Sequence, residues 1–342
     1  MAKEVDYLIV GGGVTGRLLQ IELMQRGLKA LVFDKLDKNH STQVAAGLVN
    51  PIVGKFFTVG WRAEEFFPSL AQYYRAIEHK LNASFFKEKP MKRIIANAGE
   101  QNIWLSKAHL SKYVDFCSFK QEKIKGLNTD WGVLQILQSG EMNTHSFLEA
   151  CNANLPSIFE SFDASQLDIE QKKYHMFSYR NIIFCEGYES INNPFFKDYL
   201  SVIPTKGELL EICAEGIPDD CIYLGAVFLQ PKGKNRWTVG ATYEKNQTSL
   251  EPTDMMKSDL ETKLNKLIRV PYSITKHYCG IRPASIDRKP LMGKHPTIDS
   301  MYTMNGMGSK AISMVPLLAQ EMVNYMEHHI PLSEEINLNR FF

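Results

Sequence analysis

Asp6-Tyr7-Leu8-Ile9-Val10 runs without a gap into Gly11-Gly12-Gly13-Val14-Thr15-Gly16. An apolar run ending in glycines is the pattern of a buried parallel strand. Read as Gly-x-Gly-x-x-Gly, Gly11 permits a tight turn and Gly13 lets backbone approach a pyrophosphate. Gly16 lets the following helix pack closely on the strand. That helix is predicted to run to about Arg26, with Val14, Leu18, Leu19, Ile21 and Leu23 on its apolar face and Gly27 ending it. Its N-terminus, with Val14 and Thr15, offers free N–H groups and a positive dipole end to phosphate. A second strand, Ala30–Phe33, ends at Asp34 and Lys35. An acid about twenty residues past the glycines is placed to accept hydrogen bonds from a ribose. Strand, glycines, helix, strand and acid in this order define a dinucleotide site, without deciding between FAD and NAD.

The rest of the composition narrows the class. The chain has 342 residues, 44% of them hydrophobic, enough for a sizeable core in two domains or one interrupted α/β unit. Lys plus Arg number 39 and Asp plus Glu 38, so the net charge is +1. That balance argues against a surface built mainly for phosphate backbones, and nucleic acid is not expected as a partner. Lys112, Lys120, Lys123 and Lys125 mark the densest basic stretch and read as a solvated face. The six cysteines show no CxxC pair and no metal-ligand spacing, so no metal site is expected and the thiols read as reduced. No apolar run is long enough to span a membrane, and the expected location is the cytoplasm.

Farther along, helices are predicted around Ala63–Leu81 and Thr144–Asn154, and short strands at Lys92–Ala96 and Val133–Leu137. A buried strand, Tyr179–Cys185, closes with Glu186 and Gly187. Leu209–Ile212, Ile222–Leu229 and Arg236–Gly240 read as antiparallel strands joined by turns that carry Pro and Gly. Four further segments carry chemistry. Ser41-Thr42-Gln43-Val44-Ala45-Ala46-Gly47-Leu48 is a small-residue stretch suited to backbone contact with a flat cofactor. Pro204–Glu208 opens a strand. Gly280-Ile281-Arg282-Pro283 leads to Asp287 and Pro290. Asn305-Gly306-Met307-Gly308-Ser309-Lys310-Ala311 opens the last helix. A second glycine-rich helix N-terminus suits a carbonyl end that gains negative charge on reduction, such as N1/C2=O of a flavin.

Taken together, Gly11–Gly16, Ala45-Ala46-Gly47, Thr238–Thr242, Gly280–Pro283 with Asp287 and Pro290, and Asn305–Pro316 resemble the D-amino acid oxidase superfamily of FAD-dependent oxidoreductases. Its members include glycine oxidase, sarcosine oxidase and the C-terminal oxidase domain of MnmC. The resemblance covers nearly the whole chain and points to FAD. It implies an α/β fold: an interrupted Rossmann-like FAD-binding domain (1–85, 140–203 and 272–342) and a mostly antiparallel α+β substrate domain (86–139 and 204–271). By the same resemblance, Arg282 is the substrate anchor, because its planar fork can hold a carboxylate by two parallel hydrogen bonds. The implied reaction moves hydride from the amine-bearing carbon of an amine or amino acid to flavin N5, and water then hydrolyses the imine. Tyr243 and Tyr278 read as packed core tyrosines rather than polar substrate contacts.

Departures from the family pattern limit the substrate. Ser309 stands where glycine-oxidase-like members carry a second arginine, and Phe228 where many carry a tyrosine. The loss of a cation and a phenol favours a bulkier or secondary amine over a small free amino acid. Thr238 replaces the lysine that sarcosine oxidases use to activate oxygen, with Arg236 on the same strand face as a candidate substitute, so O2 or another acceptor remains open. Cys279 is one residue out of register for covalent flavin attachment, which implies non-covalent FAD. Ala311 replaces a glycine at the start of the last helix, and Pro316 matches a proline there. Two rival functions stand beside amine oxidation. One is an MnmC-like oxidase acting on an aminomethyl-modified tRNA base. The other is an FAD-binding scaffold or assembly factor without turnover.

Overall fold

The computed structural model describes residues 3–37 and 41–342. The elements that position the site are β1 (Lys3–Val10), α1 (Val14–Gln25), β2 (Ala30–Phe33), α2 (Thr144–Asn154), β3 (Ser157–Ile158), β4 (Phe177–Phe184), β5 (Val202–Ala214), β6 (Phe228–Pro231), β7 (Arg236–Gly240), β8 (Tyr272–Ser285), β9 (Leu291–Lys294), β10 (Met301–Asn305) and α3 (Ala311–His328).

β1 lies at the centre of the first sheet, where the strands β3, β2, β1, β4 and β10 are mutually parallel and β9 adds an antiparallel edge. Its last four residues, Tyr7 to Val10, are buried, because helices cover one face of the sheet and a second apolar cluster the other. α1 stops as its sequence dictates. Gly27 takes φ +79°, Leu28 N–H donates to Leu23 O and Gly27 N–H to Met24 O, the paired bonds of a Schellman motif.

The second sheet is antiparallel apart from one parallel pair, Ile222–Leu224 with Met91–Ile94. Its spine is β5 against β8, paired from Val202↔Ser285 to Ala214↔Tyr272 with one irregularity at Glu211/Ile212. β7 lies on the other side of β5, and β6 beside β7. The helix Asp254–Leu267 packs Leu260 and Leu264 into a core of Leu210, Ile212, Trp237 and Val239 under this sheet.

Several sequence expectations are corrected. The helix expected across Ala63–Leu81 is two, Ala63–Phe66 and Leu70–Leu81, because Pro68 has no N–H to continue the ladder. Ile222–Leu229 is a hairpin rather than one strand; Gly225 N–H donates to Val227 O at the turn, and Tyr223 pairs with Leu229. Residues 272–285, expected in the nucleotide-binding part, form β8 of the second sheet. The long β5 provides a partner for every step of that strand, which then carries the chain back toward the first sheet. No helix among the described residues is long and apolar enough to cross a membrane.

Candidate functional site

A cavity of about 630 Å³ opens where the C-terminal ends of β1 and β2 meet the face of the second sheet. That is the end at which open parallel sheets bind ligands. Its first wall is made by the βαβ turn. Gly11 has φ +102°, and a Cβ there would stand 2.4 Å from Cys185 O. A Cβ on Gly12 would stand 2.9 Å from the Asp34 side chain, so the glycines let the Asp34 carboxylate and the chain ends approach one another. Gly13 caps α1 with no side-chain hydrogen bond of its own, and Thr42 Oγ1 accepts from Val14 N–H at 3.1 Å. Lys35, Asp37, Glu186, Tyr188 and Glu189 surround the outer end, where Lys35 Nζ meets Glu189 Oε1 at 2.6 Å.

The middle of the cavity is bounded by Ser41 to Leu48, Gln43 excepted, and by the N-terminal turn of α3. Gly47 takes φ +73°, and a Cβ there would stand 1.9 Å from Met142 O, so only glycine fits. Met307, Gly308, Ser309, Lys310 and Ala311 line the far side. Lys310 Nζ donates to Asn50 O at 3.2 Å, and burial lowers its pKa to about 8. Glu186 shows the opposite shift: burial raises its carboxyl to about 7, against the opposing effect of the hydrogen bond from Asn193 Nδ2 at 2.6 Å.

The roof comes from the second sheet: Gly207, Leu209, Phe228, Ala241, Thr242, Tyr243, Gly280 and Arg282. Side chains on a strand alternate, so Arg282 and Gly280 face the cavity while Ile281, wholly buried, points to the other side of β8. Arg282 Nη1 donates to Thr242 O at 3.2 Å, and the guanidinium lies 5.9 Å from the Tyr243 ring centroid. Among the described residues no carboxylate pairs with it, and burial lowers its pKa.

Of the expected cofactor contacts, Gly16, Ile281 and Gly306 lie outside the cavity wall. Gly16 packs α1 on β1, since a Cβ would stand 2.0 Å from Gly11 O. Gly306, at φ +75°, turns against Leu291. Gly11, Gly13, Val14, Thr15, Asp34, Lys35, Ser41, Thr42, Ala45, Ala46, Gly47, Leu48, Gly187, Arg282, Met307, Gly308, Ser309, Lys310 and Ala311 converge on it. Tyr243, expected in the core, is 52% exposed and lines the cavity. Thr238, Arg236 and Tyr278 face a different hollow, so Arg236 does not stand in the cavity in place of an oxygen-activating lysine. Asn50 was not singled out from sequence, Glu186 was read only as the close of a strand, and Gly207 only as part of the segment 204–208. A glycine inside a strand was the one available sign for Gly207.

Glycines at a helix N-terminus, an acid at the end of β2 and a second sheet as roof make a covered cavity of the kind that dinucleotide-binding proteins use. The chain belongs to the FAD dependent oxidoreductase family, whose profile matches residues 6–325. It is therefore a flavoprotein oxidoreductase with FAD as cofactor. The glycines at 11, 12 and 47, the α1 N-terminus and Asp34 fit that group. The bifunctional protein ThiO/ThiG of Trichormus variabilis is 22% identical over 98% of this chain and 55% of its own length. The tRNA 5-methylaminomethyl-2-thiouridine biosynthesis bifunctional protein MnmC of Shewanella sediminis is 20% identical over 98% of this chain and 58% of its own. The chain thus spans a little over half the length of these two curated relatives. The crystal structure of glycine oxidase from Geobacillus kaustophilus has a TM-score of 0.80 at 17% identity, covering 96% of each chain.

Proposed function

We propose that this protein oxidises the C–N bond of a small amine or amino acid that carries a carboxylate, with Arg282 as the substrate anchor. The observation that carries this reading is the Arg282 cation itself. It is enclosed, aimed into the cavity, bonded only to backbone oxygens and without a carboxylate partner among the described residues. A desolvated guanidinium is costly until an anion meets it, and a carboxylate matches its fork.

Bound FAD supplies the hydride acceptor, at its N5. The chain's own residues do the rest. Arg282 fixes the acid end of the substrate, while Gly207 leaves the space its guanidinium occupies and Gly280 lets Val44 pack against the roof. Leu209 and Phe228 make the roof apolar, which favours the neutral amine that must lose hydride from its carbon and a proton from its nitrogen. Water then hydrolyses the imine. With FAD bound, Lys310 and the first turn of α3 would hold the cofactor end that gains negative charge. Cys279 is buried on the opposite face of β8 from Gly280 and outside the cavity wall, which supports non-covalent FAD. Acid precipitation should therefore leave the flavin in the supernatant.

The reading is tested by anaerobic mixing with D-, L- and N-methyl amino acids while flavin bleaching is followed. The expected result is bleaching by one class and not by its decarboxylated amine; no bleaching by any of them overturns the proposal. Arg282→Ala should retain FAD and raise KM for the carboxylated substrate by about 100-fold, the order expected for removing one partner of a buried charge pair.

A further inference from the structure

A second hollow, of about 1090 Å³, lies on the same face of the second sheet as the FAD cavity. Val44, Ala45, Ala46 and Thr144 line both, so the short stretch 44–46, with Thr144 beside it, separates them. That stretch straddles the sheet. A Cβ on Gly280 would stand 2.9 Å from Val44 Cβ, and Gln230 Nε2 donates to Ala46 O at 3.0 Å. The register gives the floor beyond it: Lys276 opposite Glu211, Glu211 opposite Thr238, and Thr238 opposite Gln230.

Five cations, Lys87, Lys89, Lys232, Arg236 and Lys276, surround this hollow against two carboxylates, Glu141 and Glu211. The carboxylates are already engaged, Glu141 by Lys89 at 3.1 Å and Glu211 by Lys276 at 3.3 Å. Lys87, Lys232 and Arg236 have no carboxylate partner among the described residues. Lys232 and Arg236 are held together across a tight turn, where Lys232 N–H donates to Arg236 O at 2.8 Å. The N-terminus of α2 opens onto the hollow through Asn143, Thr144 and His145, adding its positive dipole end. At the floor, Gln230 is 1% exposed and its Oε1 has no hydrogen-bond partner. A buried acceptor without a donor is costly, and a hydroxyl would satisfy it.

We propose that this hollow is a second binding site, for a small hydroxylated polyanion: a molecule with phosphate or several carboxylates and at least one hydroxyl. Its anionic groups meet Lys232, Arg236 and Lys87, and its hydroxyl donates to Gln230 Oε1. The site is independent of Arg282 and of the amine reaction.

The test uses the FAD-loaded protein, so that the pyrophosphate cradle is filled. Citrate and ribose 5-phosphate are titrated separately by calorimetry at low ionic strength, against wild type, the double variant Lys232→Glu/Arg236→Glu and Arg282→Ala. Both substitutions of the double variant lie at an exposed turn, and its melting curve beside wild type checks that the fold is kept. The expected result is saturable binding of at least one probe, weakened by about 30-fold or more in the double variant and unchanged in Arg282→Ala. Binding of citrate alone assigns a polycarboxylate, and of ribose 5-phosphate alone a phosphate ester. The proposal is overturned if neither probe binds at about 10 mM, if the double variant binds as wild type does, or if Arg282→Ala abolishes binding. Binding of tRNA by a protein that ignores both probes also overturns it, in favour of a nucleic-acid surface.

Discussion

The carbon that Gly207 lacks would stand 2.2 Å from Arg282 Nη2. The anchor's position thus depends on an absent methyl group on a neighbouring strand. Gly207→Ala should displace the guanidinium and raise KM for a carboxylated substrate with little change in FAD affinity, a split visible in steady-state kinetics beside flavin titration. Glu186 offers a test by pH. Its pKa of about 7 lies above the ordinary carboxylate value, so the folded chain holds this proton more tightly than the unfolded one. The resulting stability is complete below the unfolded value and is lost as pH rises through about 7. Glu186→Gln should therefore raise Tm by a few degrees at pH 8, and the difference should vanish near pH 4.5 in a thermal-melt series. Lys310 is shifted the other way, to about 8, and its cost below that pH is relieved as pH rises toward the unfolded value. Anionic FAD near Lys310 would raise its pKa again, so FAD binding should weaken above about pH 8, and Lys310→Met should flatten that dependence. None of these shifts was legible in sequence, because burial arises from segments far apart in the chain. The glycines and Asp34 were legible because their spacing is local.

At the scale of elements, Pro316 lies inside α3 and cannot donate to Ile312 O, one turn earlier. Tyr74 Oη supplies the missing bond at 2.5 Å, from a helix about 240 residues away in sequence. Tyr74→Phe should cost about 1–3 kcal/mol by leaving a buried carbonyl bare. Adding Pro316→Ala, which restores the helical N–H, should recover much of that loss in denaturant titrations. The proline alone is visible in the sequence; the tyrosine that answers it is not. The same limit explains the strands. Gly27 marked the end of α1 because a Schellman turn needs only neighbours. β5 and β8 run to 13 and 14 residues because each supplies the other's partners, which no local pattern could announce.

For the whole molecule, the cavity takes walls from both sheets, so FAD held there would bridge them. Loading FAD should then increase amide protection at Gly207–Leu209 and Ala241–Tyr243 as well as at Gly11–Thr15, measured by hydrogen exchange. Protection confined to the first sheet would show that the roof does not close on the cofactor. The order of the segments and the pairing of a Rossmann-like part with a mostly antiparallel one could be read from sequence, since glycine motifs and strand periods are local. The boundary at residue 272 could not, because β8 belongs to one sheet by pairing and leads into the other by connection.

The short divider between the two hollows has a practical consequence. Val44 to Ala46 touches the sheet through Gly280 on one side and Gln230 on the other. Its side chains are small, and it comes from a single contiguous piece of chain. Replacing that piece by a grafted loop of other length would merge or widen the chambers while leaving the strands of both sheets unaltered in sequence, which makes it a natural point for reshaping which molecules the protein admits.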